Sequence, residues 1–383
     1  MKAEATVSPT EAKLRPPQRL LFGPGPTMVE PSVYEAMEKP VVGPLDPYFF
    51  DVADHVREML RAVFGTRNEV TVVVPGTGSS GMETAVANFV EPGSKCAIFA
   101  NGYFADRLSE MARRQEATVV RLEKPWGQVF SYQDAAEFVY REKPAVVAFV
   151  HAETSTGALQ DPKLITKAAR EVDALAIADT VTSLGALPVG VDEAGIDVAY
   201  SCTQKGLSCP PGLSPLTASA RAMEWLKGRK TPVRQWYLDL KLLVEYFDGH
   251  KYHHTVSTPL FYALHEGLRL IAAEGLENRW ERHRSNHLSL VAGLERMGLE
   301  MHVAAGHRIP NVNTPRVPRG VDDVKVRKYL LDKYRIDIAG GFGELYGKIF
   351  RIGLMGPLAN QESVTMLLDA MQDALAAVTE PRP

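Results

Sequence analysis

Lys205 and Asp179 are the two residues of this sequence whose types and settings best suit chemistry. Asp179 closes the apolar run ALAIA (174–178), and Lys205 stands just beyond the run VAYSC (198–202). Both read as residues at the ends of buried strands. In parallel sheets the ligand crevice lies at the carboxyl ends of the strands, so both should face it. A buried amine loses its proton more easily and becomes a nucleophile, and a carboxylate in the same crevice holds a positive charge in place. A third stretch, TVVVPGTGSSGMETAV (71–86), runs from an apolar strand through a glycine-rich turn into a helical pattern. Its glycines let backbone N–H groups approach an anion. A helix starting at Ser79 or Ser80 points its positive end at the same spot, and Thr77, Ser79 and Ser80 add hydroxyls.

The glycine stretch has three readings. Gly76, Gly78 and Gly81 spell the G-x-G-x-x-G of a dinucleotide site. Such a site also needs an acidic residue about 20 positions on, for the ribose. Here the next strand, KCAIFANG (95–102), ends in Asn101 and Gly102, and Pro75 sits at the strand–loop junction. A loop for a single phosphate fits better, and a tight turn with a serine cap is the plain alternative. Acid, lysine and phosphate loop together suggest pyridoxal phosphate. The lysine would form the Schiff base, the acid would pair with the pyridinium nitrogen, and the loop would take the phosphate. A buried Asp–Lys ion pair in a cleft is the competing explanation.

These residues need a scaffold, and the elements supply one. Strands are expected at 71–74, 95–100, 117–122, 145–150, 174–179, 197–202 and 213–218. Helical patterns fall between most of them, at 80–90, 104–115, 132–141 and 162–172. That alternation argues for an α/β fold with a mostly parallel sheet and helices on both faces. Helices dominate 258–297, and an α+β segment follows. Strands are expected there at 301–305, 311–317 and 335–340, with helices at 321–334 and 360–378. The expected division is an N-terminal arm (1–19), a large unit (20–285) and a smaller C-terminal unit (286–383).

Composition narrows the function class. Hydrophobic residues are 45 % and charged residues 23 % of the 383, ordinary globular values. With 43 basic and 46 acidic residues and no basic block, nothing favours a nucleic-acid partner. No apolar run is long enough to span a bilayer, and the N-terminus lacks the apolar core of a secretory leader. Cys96, Cys202 and Cys209 have neither metal-ligand spacing nor an even count for disulfides, so a reducing, cytoplasmic setting is expected. No metal is expected. His253–His254 lacks a third ligand, and neighbouring side chains of an extended segment point to opposite faces.

Taken in order, LLFGPGPTMVEP, TRNEVTVVVPGTGSSGMETA, ANGYFADR, HAETSTGALQDP, IADTVTSLGALPV, SCTQKGLSCPPGLS, YHHTVSTPLFYAL, AAEGLENRWERH and FRIGLMG make the chain resemble the class V pyridoxal-phosphate aminotransferases. It is most similar to the alanine–glyoxylate and serine–glyoxylate (or serine–pyruvate) branch, and the resemblance covers about Leu20 to Ala377. It implies the type I, aspartate-aminotransferase-like fold. It also implies that Lys205 forms the internal aldimine and shuttles the proton in transamination, and that Asp179 is the pyridinium partner. Val181 and Phe104 are implied on the two ring faces, and Thr154 at the phenolic oxygen. Thr77, Gly78, Ser79 and Gln204 are implied at the phosphate, with Tyr252 and Thr255 reaching the phosphate of the neighbouring subunit in a homodimer. Arg351 is implied at the substrate carboxylate, and the backbone of Gly25 beside it. The implied reaction moves an amino group from alanine or serine to glyoxylate by a ping-pong route. Phe104 departs from the tryptophan that relatives often carry. Another donor or acceptor, such as pyruvate or a phosphonate amine, stays open. A cysteine desulfurase would need a cysteine near Arg351, and none follows Cys209. A silent protein of the same fold would not need Lys205, Asp179 and Arg351 together.

Overall fold

Seven short apolar runs pair into one sheet: β1 (Val70–Pro75), β2 (Lys95–Ala100), β3 (Thr118–Glu123), β4 (Val146–Val150), β5 (Leu175–Asp179), β6 (Val198–Tyr200) and β7 (Leu213–Ala218). They belong to a computed structural model that describes residues 13–379, so most of the expected arm at 1–19 lies outside the described residues. The strand order is β1-β7-β6-β5-β4-β2-β3. Only β7 runs antiparallel to its neighbours, and the other pairs are parallel. Every residue of β4 and β5 is buried, as strands covered on both faces require.

Parallel neighbours need crossovers, and the helices Gly78–Phe89, Tyr103–Arg114, Tyr132–Glu142 and Pro162–Glu171 provide them. Local chemistry sets where they start. Ser131 and Asp134 form a reciprocal capping box. Asp161 caps the helix whose first residue is Pro162, a position where the missing N–H costs nothing. Register then lines up the strand ends. Val150 pairs with Asp179, and Asp179 with Tyr200. The carboxyl ends of β4, β5 and β6 therefore lie side by side. β1 is antiparallel to β7, which is antiparallel to β6, so β1 also ends on that edge.

Some expectations shift. The strand expected over 197–202 stops at Tyr200. Beyond it, backbone bonds to β7 continue from Ser201 N–H to Pro215 O, and serine hydroxyls join them: Ser201 Oγ donates to Thr180 O, and Ser214 Oγ donates to Ser201 O. The serine-capped turn is not what forms at the glycine loop. The helix begins at Gly78, Thr77 holds the cap position without a side-chain bond, and Ser80 Oγ turns back to Pro75 O.

A second, antiparallel sheet has the order β8-β10-β9, from Val312–Asn313 (β8), Ala339–Gly340 (β9) and Phe350–Gly353 (β10). Helices Asp323–Tyr334 and Gln361–Thr379 accompany it. No strand forms at 301–305, where Met301 makes one bridge to Pro315 and Ala305–His307 is a 3₁₀ turn. Over 311–317 regular pairing is confined to Val312–Asn313. Pro310, Pro315 and Pro318 lack the N–H that a ladder needs. One apolar cluster runs from Val33 to Ile271, and another gathers Phe22 with residues from Leu290 to Ala374. Among the described residues no helix is long and apolar enough to cross a membrane, and no group of three side chains could hold a metal.

Candidate active site

The aligned strand ends bring the glycine loop, the end of β5 and the segment after β6 to one cavity of about 480 Å³. Arg351, at the start of β10, completes its wall. That volume suits a compact cofactor and a small substrate.

Lys205 is buried there. Its Nζ lies 2.9 Å from Thr154 Oγ1 and 3.2 Å from Thr182 Oγ1. The two threonine hydroxyls also bond each other. Hydroxyls stabilise an ammonium less than water does, so burial brings the amine down to about 8. Asp179 accepts from Val181 N–H and from the Tyr200 hydroxyl, each at 2.9 Å. Burial pushes its carboxyl up, against the pull of those two donors and the charges of Lys205 and Arg107. Lys205 and Asp179 make no ion pair, so the buried-pair explanation fails. Each has its own hydrogen-bond partners, and the space between them is left to a ligand.

The glycine loop forms the cradle. Gly76 has φ +105°, and a Cβ on Gly78 would lie 2.9 Å from Val181 Cγ2. The N–H groups of Gly78 and Ser79, first in their helix, have no partner within it and carry its positive end. Gln204 lines the same cavity with a buried Oε1 that no donor reaches. Thr77, Phe104 and Val181 line it as well. Lys205 Nζ lies 5.9 Å from the Phe104 ring centroid. Gly25 has φ +127°, and a Cβ there would stand 3.1 Å from Lys205 Cε, so only glycine lets that backbone approach the lysine.

Arg351 donates from Nε to Gly340 O at 2.7 Å. Its Nη groups have no partner among the described residues. Burial lowers the guanidinium to about 10, which leaves it charged at neutral pH. A planar cation with free donors on a cavity wall is suited to a carboxylate.

Two expected residues are not brought in. Tyr252 and Thr255 are exposed, bond each other at 3.1 Å, and do not line this cavity. The neighbouring His253 and His254 do not point apart. The segment is an irregular loop, and their Nδ1 atoms lie 2.8 Å from each other. His151 is buried and bonds Ser183 Oγ. Cys202 and Cys209 are buried, which pushes both thiols up to about 12 and leaves them inert.

Sequence reasoning missed several members. Arg107 lines the cavity, donates from Nη1 to Ser79 Oγ at 2.8 Å, and lies 5.0 Å from the Phe104 centroid. Its spacing of three from Phe104 on a helix was a usable signal. Thr182 and Tyr200 act through Lys205 and Asp179. Glu153 accepts from Ser155 N–H, Ser155 Oγ–H and Phe104 N–H, so it holds the start of the helix that presents Phe104. Burial raises its carboxyl to about 7. Phe342 also reaches the cavity, and its loop carried no motif.

The residues present fit pyridoxal phosphate: an amine of lowered basicity, a carboxylate held by two donors, and an anion cradle made by the free N–H groups at a helix start. Known proteins agree. The family described as aminotransferase class-V matches residues 20–344. The crystal structure of an alanine–glyoxylate aminotransferase from Nostoc sp. is 46 % identical, covers 97 % of each chain and superimposes with a TM-score of 0.94. The (S)-ureidoglycine–glyoxylate transaminase of Bacillus subtilis is 39 % identical over 94 % of this chain and 91 % of its own. The alanine–glyoxylate aminotransferase of Drosophila melanogaster is 37 % identical over 94 % of this chain and 93 % of its own. With a type I fold around a cavity of this chemistry, the chain belongs to the class V aminotransferases and takes pyridoxal phosphate as its cofactor.

Proposed function

We propose that the protein moves an amino group from a small amino acid, alanine or serine, to glyoxylate, in two half-reactions. The observation that carries this reading is Arg351, whose free guanidinium edge shares one cavity with Lys205 and the close backbone of Gly25. The relatives point to the acceptor, since the Nostoc, Bacillus and Drosophila proteins are all named for glyoxylate.

Each side chain has a task. Arg351 binds the substrate carboxylate in a two-pronged grip that a lysine could not match. Lys205, whose basicity burial lowers, would carry the proton from the substrate Cα to the adjacent carbon of bound cofactor in one half-reaction and in the opposite direction in the other. Thr154 and Thr182 hold Nζ in place for that transfer. Bound cofactor supplies the electron sink. Asp179 is its ring-nitrogen partner, Val181 and Phe104 flank the ring, Thr154 serves the phenolic oxygen, and Thr77, Gly78, Ser79 and Gln204 hold the phosphate. Arg107 is tied to Ser79 of that loop, which leaves Arg351 as the carboxylate clamp. Tyr252 and Thr255 serve the phosphate of a second copy, so the active form is a homodimer. The large unit (20–285) carries Lys205, the small unit (286–383) brings Arg351 to it, and the protein works in the cytoplasm.

A donor panel tests the reaction. Alanine, serine, ureidoglycine, aspartate and glutamate are each paired with glyoxylate and with pyruvate. Alanine or serine with glyoxylate should lead. A carboxylate grip is worth ~1.5–3 kcal/mol, so Arg351→Lys should cut kcat/KM about tenfold or more. Glutamate as best donor, or an unchanged Arg351→Lys enzyme, would sink the small-substrate reading.

A further inference from the structure

We infer that Phe342 determines how large a substrate the site accepts, because its ring fixes Arg351 from one face and occupies the cavity beside it. The inference rests on Arg351 being the carboxylate clamp. Phe342 sits on the loop that leaves β9 and returns as β10, where Ala339 pairs with Arg351. Its ring centroid lies 3.8 Å from Arg351 Cζ, a guanidinium-over-ring contact. Gly340 O holds Nε of the same guanidinium at 2.7 Å. One face and one edge of the cation are thus fixed, and the Nη edge is left to receive a carboxylate.

The loop is shaped to present this ring. A Cβ on Gly341 would stand 2.0 Å from Leu345 O. Gly343 has φ +50°, and a Cβ there would lie 2.9 Å from Trp126 Cη2. A bulky residue between two positions that resist any side chain is placed, not accommodated. Packing alone does not account for it either, since Phe342 stays 40 % exposed while it lines the cavity. It also reaches across the rim to Tyr103, with centroids 5.3 Å apart. Tyr103 is the first residue of the helix that presents Phe104. The ring therefore bridges the Arg351 wall and the Phe104 wall. A substrate gripped by Arg351 has to fit its side chain into the space that Phe342 leaves.

Calorimetric titration of the holoenzyme with propionate and 3-phenylpropionate tests this without turnover, and so without dependence on the donor or acceptor. In Phe342→Ala, 3-phenylpropionate should bind at least about tenfold tighter than in the unmodified enzyme, and propionate should weaken about threefold or more. Phe342→Leu keeps bulk but not the aromatic face, so propionate should weaken while 3-phenylpropionate stays excluded. The kcat/KM ratio of phenylalanine to alanine should rise in parallel in Phe342→Ala only. A ratio of the two acid affinities that stays within about twofold in Phe342→Ala overturns the inference. An Arg351→Met enzyme that binds propionate undiminished overturns the clamp itself, which separates the two failures.

Discussion

Lys205 sits in a place that costs stability, and the cost is tied to its use. Its ammonium is buried with two threonine hydroxyls for company, so its amine falls from the usual 10.5 to about 8. Below pH 8 the lysine is charged in both the folded and unfolded chain, and the folded state bears the full burial penalty. Between about 8 and 10.5 the unfolded chain binds more protons, so this group makes stability rise with pH. The penalty is roughly 3 kcal/mol. Cofactor-free Lys205→Met protein should therefore melt higher than unmodified cofactor-free protein at neutral pH. That advantage should shrink as pH climbs towards 10.5, and melts across that range check it. At this scale Lys205, Asp179 and Arg351 were readable because each belongs to a strand end or a short contiguous motif. Thr182 and Tyr200 were not, since a hydroxyl 23 or 21 residues away along the chain gives no local sign that it will meet a lysine or a carboxylate.

Among the elements, the helix Leu276–Arg296 connects both sides of the site. Arg279, near its start, donates to Gly206 O at 2.8 Å and to Gly185 O at 2.9 Å, which holds the loop just after Lys205. Arg282, one turn on, donates to Gly356 O and Ala359 O in the turn that follows β10. Glu274 takes both arginines, at 2.8 and 2.6 Å. Removing the half-buried Glu274 leaves the buried Arg279 charge without its carboxylate. Glu274→Ala should cost about 1–3 kcal/mol in urea unfolding for that reason. The exposed pair Arg284–Glu281 on the same helix is the control, and Glu281→Ala should leave the transition where it was. The landmark AAEGLENRWERH was visible in the sequence, but its partners were not. Apart from Glu274 in the motif itself, the two arginines bond chiefly backbone carbonyls of glycine and alanine, far along the chain. Over 301–317, prolines without an N–H interrupt the pairing that the apolar pattern alone implies.

The whole molecule leaves its own signature at Tyr252, which is 55 % exposed and bonded only to Thr255 among the described residues. Trp236, 62 % exposed, packs on the neighbouring His253 at 4.6 Å between centroids. Large rings left open to solvent are common where a second chain docks. In the proposed homodimer, each chain lends Tyr252 and Thr255 to the other. Lys205→Ala and Tyr252→Ala/Thr255→Ala proteins should each be nearly inactive alone. Mixed, unfolded and refolded together, half the dimers are hybrids with one intact site, so about a quarter of the activity should return. No recovery would mean that these residues serve their own chain or none.

The sequence by itself determined the fold class, the cofactor and the family. Alternating strand and helix periods are local, and the motifs around Lys205 and Asp179 are short and contiguous. Tertiary structure alone decided which side chains meet. Register at Val150, Asp179 and Tyr200 brings three loops to one edge, although 50 residues separate the first and last of them in the chain. It also put Phe342 over Arg351 and Arg107 against Ser79. Those contacts depend on how two apolar clusters and a seven-stranded sheet pack in three dimensions, and no periodicity along the chain encodes that distance.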